Sequence, residues 1–375
     1  MGEGAPENLT GRWPGEFVAL ASGFMTSASA PIRVIQWTTG NIGRRSLHAI
    51  ATNPDLELVG VYAHSPDKVG KDAASLGGLD TPTGILATDD IEALIALKPD
   101  ACVYNPLWSS VDELCRLLEA GINVCSTAGW ITGGKLPASD RDRVAKAAER
   151  GNASMFGSGA HPGFTNLISI VCTQMCERVD EVKVTESVDC STYTSGETMR
   201  AMGFSQAPDT PGLEESVRRE SEVFAEAAAM TADALGIELD RLTFDAVFAT
   251  AHGDSDLGFM QIPAGTVAAV QGYHRGWVGE RNVVSVGFQW VMGYHVDPPF
   301  KLAHGHVIKI TGLPDVRTVV RVLPPKDWAE EGYMGVGEIY TAMPVVNAIP
   351  HVVAATPGIK TFRDLPMITG RVATA

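Results

Sequence analysis

The sequence predicts an α/β protein whose first part is a doubly wound parallel sheet and whose second part is an α+β domain with a mainly antiparallel sheet. Three observations support this fold class. Short apolar runs alternate with helically spaced segments as far as about residue 157, which is typical of βαβ units. A glycine turn, TTGNIG, joins the first run to the first helical segment. Beyond Phe156 the pattern changes to longer β-like runs separated by turn residues, as in antiparallel sheets.

The elements of the first part follow in order as β (32–37), α (41–53), β (56–63), α (89–97), β (101–104), α (109–120), β (122–125), α (138–150) and β (153–157). In the second part, Pro162 suits the first turn of a helix that continues over about 165–177. One long helix is expected at 212–235, and strands are expected at 181–189, 241–251, 263–274, 282–292, 303–311 and 316–323. The C-terminal stretch is apolar, and Pro344 and Pro350 would break or kink any single helix there.

Composition excludes several function classes. The formal net charge of −15 leaves no basic surface for nucleic acid, and no run of 18 apolar residues predicts a membrane span. The six cysteines fall mostly inside expected strands and helices, which favours free thiols and a cytoplasmic location. Cys172 and Cys176 share a helix face but have no further ligand nearby, so no metal site is expected. Residues 17–30 imitate a secretory signal, yet the basic segment that should precede them is missing.

The glycine turn is the main cofactor signal. In dinucleotide-binding folds, a strand leads through a glycine-rich turn into a helix whose first N–H groups bind the pyrophosphate. Gly40 and Gly43 suit the second and third glycines of that fingerprint, whereas Thr38 takes the place of the first. The alternative is a structural turn without a ligand. The residues expected to hold the pyrophosphate are Thr39, Gly40, Asn41, Ile42, Gly43 and Arg44.

Ligands on doubly wound sheets bind beyond the carboxyl ends of the strands. After the second strand the chain places His64, Ser65 and Lys68 where an NAD-specific site usually has an acidic residue. We therefore expect NADP(H) in preference to NAD(H), the alternative being a solvated loop. The residues that follow the later strands and would flank the nicotinamide end are Asn105, Pro106, Ser126, Ala128 and Gly129.

Six segments together resemble the dihydrodipicolinate-reductase-like family that includes 2,4-diaminopentanoate dehydrogenase and the native NAD(P)-dependent amine dehydrogenases. They are VIQWTTGNIGRRSL, YAHSPDKVGKDA, GINVCSTA, GSGAHPGF, IPAGTVAAVQGYHRGWVGERNVVSVGFQWVMG and VNAIPHVVAATPGIKTFRDLP. The resemblance implies hydride transfer to or from a C=N or C=O carbon, in a cleft between two domains, by a homodimer. It also implies a proton-handling glutamate after the STC-like strand end. Here that place reads Ala128-Gly129-Trp130 and has no carboxylate.

His161, in GSGAHPGF, is the candidate catalytic residue, because an imidazole at a strand end can titrate near neutral pH. The alternative is a helix-cap or hinge residue whose ring is satisfied locally. Weaker candidates are Tyr193 and Glu197, and the pair His252 and Asp254, all of which loop tips would also explain. His304 and His306 alternate in an expected strand and could form a metal edge, although a packed pair is favoured.

Aromatic side chains near these candidates suggest an apolar substrate pocket. Trp130, Trp277 and Trp290 would line it together with Tyr193 and Glu197, although hairpin aromatics such as Trp277, Trp290 and Tyr294 also pack as cross-strand pairs. The expected activity is therefore NAD(P)H-dependent hydride transfer with a medium-sized, hydrophobic ketone, imine or amine. The alternative is a nucleotide-binding sensor that has lost its chemistry.

These patterns predict four segments of the chain: a disordered extension (1–30), a dinucleotide-binding domain (31–160), an α+β substrate and dimerisation domain (161–335) and a C-terminal segment packed back on the first domain (336–375). The expected partners are a small-molecule substrate and a second copy of the chain, with neither nucleic acid nor membrane.

Overall fold

The computed structural model describes residues 30–129, 138–293, 295–330 and 332–372, and within them seven parallel strands form a first sheet. The strands are β1 (Ile32–Trp37), β2 (Leu56–Tyr62), β3 (Ala87–Thr88), β4 (Ala101–Tyr104), β5 (Asn123–Ser126), β6 (Ser154–Gly157) and β16 (Gly358–Lys360), in the spatial order β16-β6-β5-β4-β1-β2-β3. Because neighbouring strands are parallel, the carboxyl ends of β1, β4, β5 and β6 meet at one edge of the sheet.

Helices cover both faces of this sheet, which confirms the doubly wound prediction. They are α1 (Asn41–Ala51), α2 (Ala73–Gly77), α3 (Ile91–Ala96), α4 (Val111–Glu119) and α5 (Ala138–Gly151). Leu47 and Ile50 of α1 belong to one buried apolar cluster, whereas Leu114 of α4 and Val144 of α5 belong to another. α2, β3 and β16 are too short to produce a readable hydrophobic period, and the sequence patterns did not predict them.

The second sheet also has seven strands within the described residues. They are β7 (Arg178–Asp189), β8 (Arg241–Ala251), β11 (Val267–Val278), β12 (Arg281–Val291), β13 (Val296–Asp297), β14 (Gly305–Leu313) and β15 (Val316–Val320), in the order β13-β8-β11-β12-β7-β14-β15. The pairing is antiparallel except between β12 and β7, so the sheet is mixed and mostly antiparallel. A small hairpin, β9 (Ser255–Asp256) and β10 (Gln261–Ile262), stands apart.

The helices of the second domain are α6 (Thr165–Cys172), α7 (Gly196–Ala201), α8 (Leu213–Glu220) and α9 (Glu222–Ala234), and α9 packs on β11 and β12. The prediction of one helix over 212–235 is wrong, because Ser221 separates α8 from α9. Its hydroxyl donates to the carbonyl oxygen of Val217 at 2.7 Å and lies 2.9 Å from Nε2 of His274 on β11. A long-range hydrogen bond therefore fixes the break.

Two further expectations are corrected. Pro162 does not begin a helix, because His161 and Pro162 have extended backbone dihedrals (ψ 119° and 152°) and α6 begins at Thr165. His304 and His306 do not alternate in one strand, because β14 begins at Gly305 and His304 precedes it with φ +51°. The two imidazoles therefore do not share a strand face.

The C-terminal segment forms α10 (Met334–Val346) and α11 (Ile349–Val353) before β16. α10 packs on α1, α11 contacts β5 and β6, and β16 pairs with β6. Pro344 lies inside α10 near its end without breaking it, and Pro350 occupies the first turn of α11. None of the described helices combines the length and apolarity needed to cross a bilayer.

Candidate active site

The turn between β1 and α1 has a left-handed residue where the dinucleotide fingerprint usually has its first glycine. Thr38 adopts φ +66°, a strained conformation for a β-branched residue. Two hydrogen bonds hold it: the Thr38 hydroxyl donates to the carbonyl oxygen of Asn105 at 2.8 Å, and Nε2 of Gln36 donates to the carbonyl oxygen of Thr38 at 3.0 Å. The fingerprint turn therefore forms without that glycine.

Gly40 and Gly43 serve different purposes in this turn. A Cβ at Gly43 would lie 2.4 Å from the carbonyl oxygen of Thr38, so only glycine allows α1 to pack this closely on the end of β1. A Cβ at Gly40 would meet no atom of the described chain within 4 Å. The space in front of Gly40 is therefore open to a ligand.

The start of α1 is suited to an anion. Among the described residues, no side chain caps the first turn of α1, and the turn contains no acidic residue. The Thr39 hydroxyl is buried without a hydrogen-bond partner in the described chain, and Nζ of Lys68 donates to the carbonyl oxygen of Thr39 at 3.0 Å. Unpaired N–H groups, an orphaned hydroxyl and an adjacent ammonium group are the features that a pyrophosphate would complement.

The corner after β2 lies beside this turn. The Lys68 N–H donates to the carbonyl oxygen of Ser65 at 2.9 Å, and this local turn directs the lysine side chain towards Thr39. His64 is exposed, and Arg44 is exposed on the first turns of α1. The corner therefore presents hydrogen-bond donors, although Asp67 is also exposed in the same loop.

A hydrogen-bonded chain fixes the ends of β1, β4 and β5. Nε2 of Gln36 donates to Oδ1 of Asn105, and Nδ2 of Asn105 donates to the Thr127 hydroxyl, both at 2.8 Å. The Ser126 hydroxyl accepts the N–H of Ala128 at 3.0 Å. Both ends of the Asn105 amide therefore help to hold the strand ends together.

Two more of the expected cofactor residues lie at these strand ends. Pro106 is half-buried directly after Asn105. Gly129 has φ +73° and nothing of the described chain within 4 Å of an added Cβ. Both therefore lie on the edge of the sheet where the fold places a ligand.

His161 connects this edge to the second sheet. Its ring centroid lies 5.1 Å from that of Phe224 on α9 and 5.6 Å from that of His306 on β14. Neither ring nitrogen of His161, nor Nε2 of His306, has a hydrogen-bond partner in the described chain. The expected alternative of a locally satisfied ring thus has no support in these contacts, and unpaired buried nitrogens indicate that a ligand or water completes the site.

Both imidazoles of this pair are neutral at neutral pH. Burial, with a smaller contribution from His306, lowers the pKa of His161 well below its ordinary value, and burial lowers the pKa of His306 to about 4. Tyr340 of α10 completes the contact, since its ring lies 5.5 Å from that of His306 and its hydroxyl lies 2.9 Å from that of Thr165. A neutral imidazole can donate one hydrogen bond and accept another.

A half-buried glutamate, whose side chain is 21% exposed, faces this pair. Glu186 of β7 lies directly opposite His306 in the antiparallel ladder, with Oε1 3.8 Å from Nε2 of His306. Burial raises the pKa of Glu186 to about 7. The indole N–H of Trp290 opposes this rise but makes no hydrogen bond of standard geometry. Glu186 can therefore both donate and accept a proton near neutral pH.

Of the other residues expected to line the pocket, some lie near Glu186 and others do not. His161, His306, Tyr340 and Glu186 form one cluster. Trp290 belongs to it, because its ring lies 4.9 Å from that of Phe288, which pairs with Glu186 across β12 and β7. Tyr193 is half-buried; burial raises its pKa and the charge of Glu186 adds to the rise, so the two groups are within electrostatic range. Glu197 is exposed in the first turn of α7.

The remaining candidates lie apart from the cluster. Trp277 is at the hairpin end of β11, where its indole N–H donates to the Thr243 hydroxyl at 2.8 Å, so the structure does not bring it to Trp290. His252 and Asp254 are exposed in the loop after β8. Trp130 and Tyr294 lie outside the described residues.

The sequence patterns did not predict several residues of the cluster, because only tertiary contacts bring them together. Glu186 carries one local signal: it follows Val182 and Val184 at period two, so a carboxyl group occupies an inward-facing register position. Its pairing with His306 joins residues more than a hundred positions apart, and the contact of Tyr340 with that ring joins two separate elements, α10 and β14. Gln36 and Thr127 carry no local signal.

Comparisons with known proteins agree with this geometry. Residues 164–375 match the family model of the 2,4-diaminopentanoate dehydrogenase C-terminal domain. An amine dehydrogenase of Streptomyces virginiae is 30% identical over 356 residues, which cover 90% of this chain and 96% of that protein. The 2,4-diaminopentanoate dehydrogenase of Acetoanaerobium sticklandii is 26% identical over 279 residues, or 71% of this chain and 72% of that protein.

A solved structure of an amine dehydrogenase from Mycobacterium smegmatis superposes with a TM-score of 0.75 at 19% identity, covering 92% of this chain and 98% of that one. This likeness shows a shared fold over both domains. Together with the sequence matches, it confirms the resemblance that the motifs predict. The chain therefore belongs to the amine dehydrogenase and 2,4-diaminopentanoate dehydrogenase family of NAD(P)-dependent oxidoreductases.

Proposed function

We propose that this enzyme is an NAD(P)-dependent amine dehydrogenase that interconverts a medium-sized, apolar ketone and ammonia with the corresponding amine. The observation that carries the proposal is the contact between His161 and His306, in which both ring nitrogens of His161 and Nε2 of His306 are buried without a partner in the described chain. Aromatic rings of Phe224 and Tyr340 contact the pair, and His161 belongs to the segment that follows β6, at the carboxyl end of the first sheet.

The residues of the β1–α1 turn would hold the cofactor. Backbone N–H groups from Gly40 to Gly43 would bind the pyrophosphate, with Thr39, Asn41, Ile42 and Arg44 beside them. Pro106, Ser126, Ala128 and Gly129 would flank the nicotinamide end, aligned by the side chain of Asn105. The bound nicotinamide ring supplies or accepts the hydride.

The corner after β2 supports NADP(H) in preference to NAD(H). His64, Ser65 and Lys68 would offer donors to a 2′-phosphate, and Nζ of Lys68 donates to the carbonyl oxygen of Thr39. A charge-assisted hydrogen bond to phosphate is stronger than a neutral one. The exposed Asp67 is the feature that opposes this preference.

The substrate pocket would have apolar walls and a few polar groups. Phe224, Phe288 and Trp290 form a chain of ring contacts, with centroids 5.3 Å and 4.9 Å apart. His161 would hydrogen-bond the nitrogen or oxygen of the reacting carbon, since its neutral ring has both a donor and an acceptor free of partners in the described chain. Such a site favours an apolar substrate with one polar centre.

The expected homodimer and cytoplasmic location are parts of the same proposal. The outward face of the second sheet carries Val247, which is 47% exposed, beside the partly exposed side chains of Gln271 and Gln289. A second copy could cover this face. All six cysteines are free thiols, as a reducing compartment allows.

The test is oxidation of NADPH and NADH across a chain-length series of ketones, with and without ammonium. We expect turnover only when ketone and ammonium are both present, and a higher rate with apolar ketones. Equal turnover without ammonium would replace the proposal with a carbonyl reductase. Coenzyme binding without any turnover would favour a nucleotide-binding sensor. Light scattering after size-exclusion chromatography tests the homodimer.

A further inference from the structure

Glu186 occupies an unusual place for a carboxyl group. It shares the inward face of β7 with Val182 and Val184, and its cross-strand neighbours are His306 on β14 and Phe288 on β12. A buried acid without a permanent cation beside it is costly to ionise. Such a group in a structural core is usually replaced by an apolar one, so its presence beside orphaned imidazoles points to a chemical role.

Several polar atoms around Glu186 lack hydrogen-bond partners among the described residues. Within the described chain, buried atoms without a hydrogen-bond partner include Nε2 of His306, both ring nitrogens of His161 and Nε1 of Trp290. These atoms and the carboxyl group come from β7, β12, β14 and the segment after β6. The titratable groups in contact with Glu186, with its nearest neighbours or within electrostatic range of it are His306, His161, Tyr340, Tyr193 and Cys190.

We propose that Glu186 is the acid–base residue of the reaction, donating the proton that turns the hydroxyl of the substrate into a leaving water. This inference rests on the proposed function. Its geometric basis is the position of the carboxyl group opposite His306, whose ring contacts that of His161 in the segment after β6.

The proton balance closes with ammonium as co-substrate. Ammonium gives one proton to the Glu186 carboxylate, and the resulting ammonia forms a C–N bond at the carbonyl carbon, giving a carbinolamine after proton transfer from nitrogen to oxygen. The Glu186 carboxyl group then returns its proton to the departing hydroxyl, so that the C–O bond breaks and water leaves. The products are an iminium ion, ready for reduction, and the carboxylate that begins the next cycle.

Glu226 provides a matched control. It is a buried glutamate whose pKa burial also raises to about 7, and its Oε2 lacks a partner in the described chain. It lies on α9 two residues after Phe224, so it faces a different side of that helix from the residue that contacts His161. The two glutamates therefore share a pKa that burial raises but differ in position.

The experiment compares wild type, Glu186→Gln, Glu186→Asp and Glu226→Gln in reductive amination at saturating ketone and ammonium. Glu186→Gln is expected to lower kcat by at least about 100-fold. Its coenzyme affinity, measured by fluorescence titration, should be unchanged. Glu186→Asp should recover part of kcat because it keeps the carboxyl group. Glu226→Gln should leave kcat unchanged.

The pH profile separates an acid–base role from a structural one. In the wild type, kcat should increase as the pH rises through about 7, because the carboxylate form of Glu186, which accepts the proton of ammonium, is gained. This limb should persist in Glu226→Gln and vanish in Glu186→Gln. An active Glu186→Gln with the wild-type profile would overturn the inference while the proposed function stands. A wild type that binds coenzyme but never requires ammonium would instead overturn the proposed function.

Discussion

Replacing Glu186 with glutamine removes a carboxyl group whose ionisation opposes folding. Burial raises its pKa from 4.5 to about 7 in the folded chain. Between these values the folded state binds more protons than the unfolded state. The stabilising contribution of the protonated Glu186 carboxyl group is therefore complete below pH 4.5 and is lost as the pH rises through about 7. At about 1.4 kcal/mol for each pH unit of the gap, the whole effect is about 3 kcal/mol.

The assay is urea denaturation of the coenzyme-free protein between pH 5 and pH 8. The free energy of unfolding of Glu186→Gln, relative to wild type, should increase with pH by about 2 kcal/mol over this range. The buried amide of the variant has its own effect on stability, and that effect does not depend on pH. Glu226→Gln should show a similar slope. Parallel curves for wild type and Glu186→Gln would refute the assignment of a buried, titrating carboxyl group.

Three further predictions concern the two halves of the site. Gly43→Ala should lower the free energy of unfolding by about 1–3 kcal/mol in urea denaturation, because its Cβ would lie 2.4 Å from the carbonyl oxygen of Thr38; an unchanged midpoint would contradict that contact. Lys68→Ala should weaken NADPH binding more than NADH binding in calorimetric titrations, and equal losses would remove its role in coenzyme preference. His161→Ala should lower kcat while the Kd of the coenzyme stays constant; wild-type kcat would leave His161 with a structural role only.

Local periodicity was sufficient to predict most of the fold. β1 and β8 begin and end at the expected residues, because each is a long run of β-like spacing bounded by turn or helix signals. Elements of two to five residues, such as α2 and β3, have too few positions to show a period. The break at Ser221 depends on His274, which lies on a distant strand, so no local pattern could place it.

The candidate site was predictable only where its residues follow one another in the chain. The turn from Thr38 to Gly43 carries its own spacing, and strand ends on a parallel sheet must meet at one edge. The cluster around Glu186 depends on the register between β7 and β14 and on the return of α10, which are set by tertiary packing. The roles of these residues, including His161, stay predictions.

The most direct measurement is a titration of wild type and Gly40→Asp with NADPH and NADH, followed by fluorescence and by heat. An aspartate at Gly40 fits the fold, since φ is −71° and nothing of the described chain lies within 4 Å of its Cβ, yet its carboxylate would occupy the place of a phosphate. We expect saturable binding by the wild type, and a folded Gly40→Asp with the same unfolding midpoint and no binding. Unchanged affinity in Gly40→Asp, or no binding by the wild type, would contradict a pyrophosphate at the start of α1.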